Sequence, residues 1–308
     1  MERRSLGNLS VTIVGIGCNN FGKRIDAKAS ARVIDAAIDI GINFFDTADS
    51  YGGGLSEEFI GKSLQHRRSE VILATKFGQP TERAEHLSRG NADWIKIAVD
   101  ESLRRLGTDY IDYYQIHFPD PDVPIEETLG AMHELVLDGK VREIGCSNFG
   151  SQRLLEAHEI WNANSLSPFR AVQNRYSVLS RDPEERVMPA CRELGIGLIP
   201  YYPLESGLLT GKYQNETDFP DGTRFAGLTG LERERFLRDG VFKRIEALSE
   251  LAASENRTLL DLAMSWLVSN PTVTSVITGA TRPEQVLANA NATSWEMTPA
   301  MRAQINMV

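Results

Sequence analysis

The 308-residue sequence is poor in cysteine and has no long hydrophobic run. Its three cysteines, Cys18, Cys146 and Cys191, are odd in number and lack CxxC spacing, so reduced thiols in a cytoplasmic protein are the simplest interpretation. No stretch reaches the roughly 18 apolar residues that a membrane span requires. The first residues carry charges without the apolar segment of a signal peptide. We therefore predict a cytoplasmic protein that does not enter a membrane.

The sequence also has fewer positively than negatively charged residues. The chain has 33 Lys and Arg residues against 42 Asp and Glu residues, which gives a net charge of −9. This balance disfavours nucleic acid and anionic membrane surfaces as general partners, although a local basic pocket remains compatible with it. The oligomeric state is left open by the sequence.

Histidine is too scarce and too scattered for a metal site. The five histidines are His66, His86, His117, His133 and His158, and they form neither an HxH pair nor an HExxH run. All except His117 fall on predicted helices or on a loop that leads into one. Because zinc sites need such clustered ligands, we predict no catalytic metal.

The glycine-rich segments do not match nucleotide-binding fingerprints. GIGCNNFG at residues 15–22 has Asn20 where the GxGxxG pattern needs its third glycine. GGG at residues 52–54 lacks the Lys-Ser/Thr of a P-loop. Both segments are predicted to be turns.

What the sequence does contain is a regular alternation of strand-like and helix-like segments. The eight predicted strands are VTIVGIG, INFFD, VILATKFG, YIDYYQIH, VREIGCSNF, RAVQNRYS, GIGLIPYYPL and TSVITGA. Segments with helical spacing lie between them, such as AKASARVIDAAIDIG, which stops at Gly41. Alternation of this kind implies a parallel sheet, and eight units in about 300 residues favour a closed (β/α)8 TIM barrel over an open doubly wound sheet. We expect one domain over residues 1–308.

One long polar segment interrupts the alternation after the seventh predicted strand. It covers about residues 205–240 and contains PDGTRFAG. Long loops in compact domains often act as lids or binding segments. We expect this loop, the loop after His117 and the tail after Asn291 to select the substrate.

Four residues of different chemistry end or follow consecutive predicted strands. Asp46 ends INFFD and Tyr51 follows it, Lys76 lies near the end of VILATKFG, and His117 ends YIDYYQIH. Because the carboxyl ends of barrel strands meet on one face, we expect these side chains to converge there. Each residue alone has an ordinary structural explanation, such as a turn or a solvated strand end. Their joint occurrence favours an active site.

These residue types together suit the reduction of a carbonyl group. Hydride addition to the carbonyl carbon leaves negative charge on the oxygen, which has to be protonated or stabilised. The Tyr51 hydroxyl can supply the proton, and the Lys76 ammonium is expected to lower its pKa from the ordinary value near 10. Asp46 is expected to be the counter-charge of Lys76. His117 is expected to hydrogen-bond the substrate oxygen and orient it.

The motifs DTADSYG, ATKFG and the strand-ending IH resemble those of the aldo-keto reductase superfamily in order and spacing. The resemblance covers essentially the whole chain. It implies that Tyr51 is the general acid/base, that Lys76 and Asp46 tune it, and that His117 positions the carbonyl. It further implies a reductase of aldehydes or ketones that binds NADP(H) in extended form without a Rossmann fingerprint.

The resemblance also implies which residues hold the nicotinamide. Ser147 and Asn148, in GCSNFG, would bind the carboxamide, and Gln173, in AVQNRYS, would be their partner. Tyr201, in IPYYPL, would stack on the ring. Polar side chains at strand ends are suitable donors and acceptors for an amide.

The rest of the cofactor would contact two later segments. The segment expected to wrap the pyrophosphate contains Leu204, Ser206, Leu208 and Lys212. The adenosine-side segment contains Gly279, Thr281, Gln285 and Asn289. Lys212 and Arg224 would pair with a 2′-phosphate, which favours NADPH over NADH.

Three residues depart from the family pattern. Tyr202 follows the stacking tyrosine where many members have Ser, and Ala288 stands where a Glu is common. Glu205 replaces an uncharged residue in the pyrophosphate segment, where a carboxylate is expected to repel phosphates.

Two other functions remain open for such a chain. Some relatives run the reverse reaction, as NAD(P)+-dependent dehydrogenases of aldose sugars. Others are non-enzymatic NADP-binding regulatory subunits, like the β subunits of potassium channels.

Overall fold

The chain begins with an antiparallel hairpin of two strands, β1 (Arg3–Leu6) and β2 (Leu9–Thr12). The structure is a computed structural model that describes residues 1–79, 88–213, 215, 219–220, 222–237 and 240–308. Leu6 and Val11 of the hairpin are fully buried in one cluster with inward-facing residues of the barrel, such as Phe44 and Tyr113. The hairpin therefore covers the end of the barrel at which the strands begin.

Eight parallel strands form the barrel that follows. They are β3 (Val14–Gly17), β4 (Phe44–Asp46), β5 (Ile72–Phe77), β6 (Ile111–Ile116), β7 (Val141–Ser147), β8 (Phe169–Arg175), β9 (Gly197–Tyr201) and β10 (Val276–Gly279). Their order is β10-β3-β4-β5-β6-β7-β8-β9. The backbone of Leu198 in β9 bonds to Thr272 and Thr274, just before β10, at 2.8 Å each. These bonds bring the two outer strands together, and the barrel is nearly closed.

Helices surround this barrel. Those in the described parts of the chain are α1 (Ala27–Asp39), α2 (Leu55–Leu64), α3 (Ala92–Leu106), α4 (Ile125–Leu137), α5 (Ser151–Ala163), α6 (Val187–Leu194), α7 (Gly230–Glu234), α8 (Val241–Ser254), α9 (Leu259–Val268), α10 (Pro283–Asn291) and α11 (Pro299–Met307). The predicted (β/α)8 barrel is confirmed. Because helices cover the outside of the sheet, strands such as β6 are buried on both faces, and their sequences read as continuous buried runs.

Two predicted element boundaries were wrong. VTIVGIG was expected to be one strand, but it is divided between β2 and β3. The Asn43 side chain accepts the Thr12 N–H at 2.8 Å, which removes that donor from the strand, and nothing in the apolar pattern reveals this bend. The helix expected over residues 182–195 is a 3-10 turn at Asp182–Glu184 followed by α6.

The segment after the seventh barrel strand has more structure than expected. It contains a 3-10 segment at Glu205–Thr210 and the short helix α7. No individual helix was predicted over the residues that form α8, α9 and α11. Residues 214, 216–218, 221 and 238–239 of this part, and His86, lie outside the described residues.

Close packing inside the barrel generates a stability prediction at Gly145 of β7. A Cβ on Gly145 would lie 1.8 Å from the Tyr113 hydroxyl oxygen, which is buried and donates to the carbonyl of Ala171 at 2.9 Å. We expect Gly145→Ala to lower the free energy of unfolding by about 1–3 kcal/mol or more, as overpacking does. Urea unfolding measures this change.

Gly130 provides the matched control. It lies inside α4, and a Cβ there would meet nothing within 4 Å. Gly130→Ala should stabilise the protein by about 0.5–1 kcal/mol, because alanine loses less backbone entropy in a helix. Equal effects of the two substitutions would contradict the packing described for Gly145.

Candidate active site

An ion pair lies inside the barrel where β4 and β5 end. Lys76 Nζ is 2.6 Å from Asp46 Oδ2, and the two side chains are 0% and 1% exposed. Lys76 Nζ also donates to the carbonyl of Thr47 at 2.8 Å. The pairing predicted between Lys76 and Asp46 is confirmed.

Two glutamine side chains complete the environment of the Asp46 carboxylate. Gln115 of β6 and Gln173 of β8 each donate an amide N–H to Asp46 Oδ1, at 3.1 and 2.8 Å. With Lys76 on Oδ2, both carboxylate oxygens have donors. A buried charge needs such partners, because desolvation otherwise outweighs the attraction of an ion pair.

Tyr51 stands beside this pair on a tight turn after β4. The turn, Tyr51–Gly54, contains Gly52 at φ 60° and Gly53 at φ 67°, a left-handed conformation that favours glycine. Lys76 Nζ is 5.1 Å from the centroid of the Tyr51 ring. The His117 ring lies edge-on to Tyr51 with 5.7 Å between the centroids. The predicted convergence of the four residues is therefore observed, and their catalytic roles stay predictions.

The electrostatic effect on Tyr51 is the reverse of the one expected. Burial of the Tyr51 phenol raises its pKa well above 10, and the negative charge of Asp46 adds to the increase. The Arg224 guanidinium acts weakly in the opposite direction. Lys76 does not produce the expected decrease. Tyr51 thus keeps its proton at neutral pH.

His117 is uncharged at neutral pH. Its side chain is 8% exposed, and burial, with a contribution from the Lys76 charge, lowers its pKa from 6.5 to about 3. Its Nδ1 is buried and has no hydrogen-bond partner among the described residues. A neutral imidazole can donate through one nitrogen and accept through the other.

The residues expected around the nicotinamide lie next to this cluster. Asn148 has φ 62°, and its side-chain nitrogen donates to the His117 carbonyl at 2.9 Å. Its Oδ1 accepts from the Tyr201 hydroxyl at 2.7 Å, and Ser147 Oγ donates to the Gln173 carbonyl at 2.8 Å. The Gln173 side chain itself points at Asp46, as described above. These contacts join the ends of β6, β7, β8 and β9.

The segment expected to wrap a pyrophosphate follows β9. Glu205, Ser206 and Gly207 have φ values of 44°, 57° and 100° in succession. The backbone N–H groups of Glu205 and Gly207 donate within the turn, to the carbonyls of Tyr202 and Leu204 at 3.0 and 2.7 Å. Ser206 Oγ is buried and has no partner among the described residues, so it has a free hydrogen-bonding group for a ligand. Leu204 is half-buried and Leu208 is buried.

The cationic residues expected near a 2′-phosphate are accessible. Lys212 is exposed, with its Nζ 4.9 Å from the Tyr213 ring centroid. Arg224 is half-buried over the ring of Tyr202, 5.0 Å from its centroid, and donates to its hydroxyl at 3.3 Å. Arg224 is also close enough to Tyr51 for its positive charge to act on the pKa of that phenol.

The adenosine-side residues are grouped at the end of β10 and on α10. Thr281 donates to Gln285 Oε1 through its backbone N–H at 2.8 Å and through its hydroxyl at 3.1 Å. Gly279 is exposed and Asn289 is 5% exposed. Since β10 pairs with β3, this group lies on the same rim of the barrel.

Two polar residues at the site were missed in the sequence. Gln115 is aligned with Lys76 in the sheet and lies two residues before His117, so strand periodicity places it on the same inward face. Asp49, with Oδ1 buried and unpartnered among the described residues, has a pKa raised to about 7 by burial and by the carboxylate of Glu57. Only its place in DTADSYG hinted at a role.

The donor set fits an extended nicotinamide cofactor better than a metal. Within the described residues, no group of His, Cys, Asp and Glu is arranged to hold a metal ion. The free Ser206 hydroxyl suits a phosphate. None of the helices in the described parts of the chain is long and apolar enough to cross a membrane.

Comparison with known proteins identifies the family. The aldo/keto reductase family model matches residues 13–308, so the chain belongs to that family. The chain is 35% identical to the aldo-keto reductase YhdN of Bacillus subtilis, with all of this chain and 93% of that protein aligned. It is 34% identical to the aldo-keto reductase yakc [NADP(+)] of Schizosaccharomyces pombe, over 98% and 89% of the two chains.

A potassium channel subunit and a solved aldo-keto reductase structure are also similar to the chain. A probable voltage-gated potassium channel subunit beta of Arabidopsis thaliana is 35% identical, over 95% of this chain and 91% of that protein. Among solved structures, the holo form of aldo-keto reductase AKR11C1 from Bacillus halodurans superposes with a TM-score of 0.81 at 32% identity, over 100% and 95% of the two chains. The protein is therefore an oxidoreductase of the aldo-keto reductase type, in a family that uses nicotinamide cofactors.

The buried ion pair generates a stability prediction. Lys76→Met leaves the Asp46 carboxylate buried without its counter-charge, and we expect a loss of about 3–5 kcal/mol in the free energy of unfolding. Lys140→Met is the matched control, because Lys140 and Asp100 form a 2.6 Å pair with 35% and 59% exposed side chains. It should cost no more than about 1 kcal/mol. Similar losses for both variants would contradict the buried pair.

The lowered pKa of His117 generates a prediction about pH. Between pH 6.5 and about 3 the unfolded state binds a proton at this position and the folded state does not, so acid favours unfolding. His117→Gln removes this contribution. We expect the free energy of unfolding of the variant, relative to the unmodified protein, to increase as the pH falls from 7 to 4. A difference independent of pH would contradict a buried neutral imidazole.

Proposed function

We propose that the protein reduces an aldehyde or a ketone to an alcohol with NADPH as the reductant and Tyr51 as the proton donor. The observation that carries this proposal is the protonated phenol of Tyr51 beside the buried Asp46–Lys76 pair and the His117 ring. A reductase needs this protonated form when negative charge develops on the substrate oxygen.

The other residues of the cluster act on the same oxygen. Neutral His117 has its ring edge-on to Tyr51, which suits a hydrogen bond to a carbonyl oxygen placed between them. Lys76, 5.1 Å from the Tyr51 ring centroid, offsets the negative charge of Asp46, which otherwise opposes the loss of the proton from Tyr51. Asp46 holds Lys76 in place through the 2.6 Å contact.

Bound NADPH would supply the hydride. Ser147, Asn148 and Tyr201 would hold the nicotinamide, and the free hydroxyl of Ser206 would contact a phosphate. Exposed Lys212 and half-buried Arg224 are cations that an additional 2′-phosphate could attract. The S. pombe relative carries NADP(+) in its name, which supports NADPH over NADH for this chain.

The raised pKa of Tyr51 also bears on the alternative of an NAD(P)+-dependent aldose dehydrogenase. Sugar oxidation requires Tyr51 to accept a proton, and therefore to be a phenolate before the reaction. A phenol that keeps its proton above pH 10 disfavours that state. At neutral pH Tyr51 is therefore in the protonated form that reduction uses, and initial rates with both cofactors in both directions measure which reaction the protein catalyses.

A regulatory NADP-binding subunit is the second candidate. It is favoured by the 35% identity to the Arabidopsis protein named as a probable potassium channel subunit beta. Multiple turnovers of NADPH with a panel of aldehydes, ketones and sugars support the enzyme. Oxidation of one equivalent of bound NADPH, without further turnover, supports the regulatory subunit.

Substitution of Tyr51 tests the proposed mechanism. We expect Tyr51→Phe to lower kcat for aldehyde reduction by roughly 10²–10⁴-fold, because the general acid is removed. The dissociation constant of NADPH, measured by fluorescence titration, should remain unchanged. Tyr114→Phe is the matched control, since the Tyr114 hydroxyl is buried without a partner among the described residues and lies outside the catalytic cluster. Unchanged turnover in Tyr51→Phe would contradict the mechanism.

A further inference from the structure

A second buried ion pair joins the end of β8 to the pyrophosphate segment. Arg175, the last residue of β8, forms a salt bridge with Glu205, and the two side chains are 11% and 3% exposed. Arg175 Nε also donates to Glu205 Oε1 at 3.3 Å, so the guanidinium contacts both carboxylate oxygens. The expectation that Glu205 places a free negative charge beside phosphates was wrong, because Arg175 neutralises it.

The carboxylate also receives a third donor. Ser177 Oγ donates to Glu205 Oε1 at 2.6 Å. The backbone of Glu205 has φ 44°, which is unfavourable for a residue with a Cβ. The hydrogen bonds of its side chain therefore hold a strained turn at the point where the segment leaves β9.

The guanidinium of Arg175 also contacts an aromatic ring. It lies 4.8 Å from the ring centroid of Phe236, which is 4% exposed and follows α7. Phe236 packs edge-on against Tyr202 with 5.3 Å between the ring centroids. Arg175 thus connects the Glu205 turn with the long segment before α8.

We propose that Arg175 and Glu205 are positioning residues for the cofactor: their ion pair fixes the left-handed turn at residues 205–207 and neutralises a carboxylate that would otherwise repel the cofactor phosphates. This inference rests on the proposed use of a nicotinamide dinucleotide and adds residues to which no role in binding was assigned. Neither side chain has to touch the cofactor, since each acts through the turn and through its charge.

The proposal predicts an asymmetric double-mutant cycle. Arg175→Met leaves the Glu205 carboxylate unpaired, and we expect the dissociation constant of NADPH to increase by about tenfold or more. Glu205→Gln keeps an oxygen that accepts from Arg175 and Ser177, so the increase should stay within about threefold. The double variant should bind NADPH more tightly than Arg175→Met, because the repelling charge is absent, and its remaining difference from the unmodified protein measures the loss of the ion pair that fixes the turn.

Salt and turnover separate this role from a merely structural one. The defect of Arg175→Met should become smaller as salt screens the repulsion between carboxylate and phosphates. The kcat at saturating NADPH should change by less than about twofold, because the tyrosine cluster is intact. Arg175→Lys keeps the positive charge and should bind NADPH more tightly than Arg175→Met, which provides a folded variant if the methionine variant is unstable.

Arg170→Met is the matched control at the opposite end of the same strand. Arg170 forms a 2.6 Å pair with the buried Glu143, with side-chain exposures of 32% and 6%. Its loss should lower the thermal unfolding temperature without changing the NADPH dissociation constant. Additive effects of the single variants, or equal weakening by Arg175→Lys and Arg175→Met, would overturn the inference alone. Failure of the unmodified protein to bind NADPH would overturn the proposed function and the inference together.

Discussion

The Lys76–Asp46 ion pair, with no water-accessible surface on the lysine, is the interaction on which the site depends. Its two charges come from adjacent strands, and the amides of Gln115 and Gln173 that complete it come from β6 and β8. The carboxylate is satisfied only when these strands are in register around a nearly closed barrel. The site is therefore assembled only when the barrel has formed.

This pairing changes the expected role of Lys76. Its ammonium is engaged by Asp46 and by a backbone carbonyl, and burial dominates the pKa of Tyr51 instead. Tyr51 and His117 are both held neutral, the first by a raised and the second by a lowered pKa. Tyr51 and His117 are thus two neutral hydrogen-bond donors beside the buried Lys76–Asp46 ion pair. This arrangement suits a reaction in which negative charge appears only as the carbonyl is reduced.

Much of this could be predicted from the sequence, because Asp46, Lys76 and His117 end strands whose apolar patterns are clear. The barrel followed from the same alternation. The sign of the Tyr51 pKa shift could not be predicted, because it depends on burial and on distances between strands. The charge of Glu205 was misjudged for a similar reason: its partner, Arg175, is thirty residues earlier on another strand end. A single sequence shows residue types along the chain. It does not show which charged residues from distant parts of the chain become partners in the folded protein.

Strand β8 connects the two halves of the proposed reaction. Gln173 donates to Asp46, and Arg175, two residues later, pairs with Glu205 in the turn proposed to hold the cofactor phosphates. Because a strand fixes the spacing of alternate residues, β8 sets the distance between the cluster around the proton donor and the cofactor segment. The relative position of hydride source and proton donor would then depend on how β8 holds both the Asp46 carboxylate and the turn at residues 205–207.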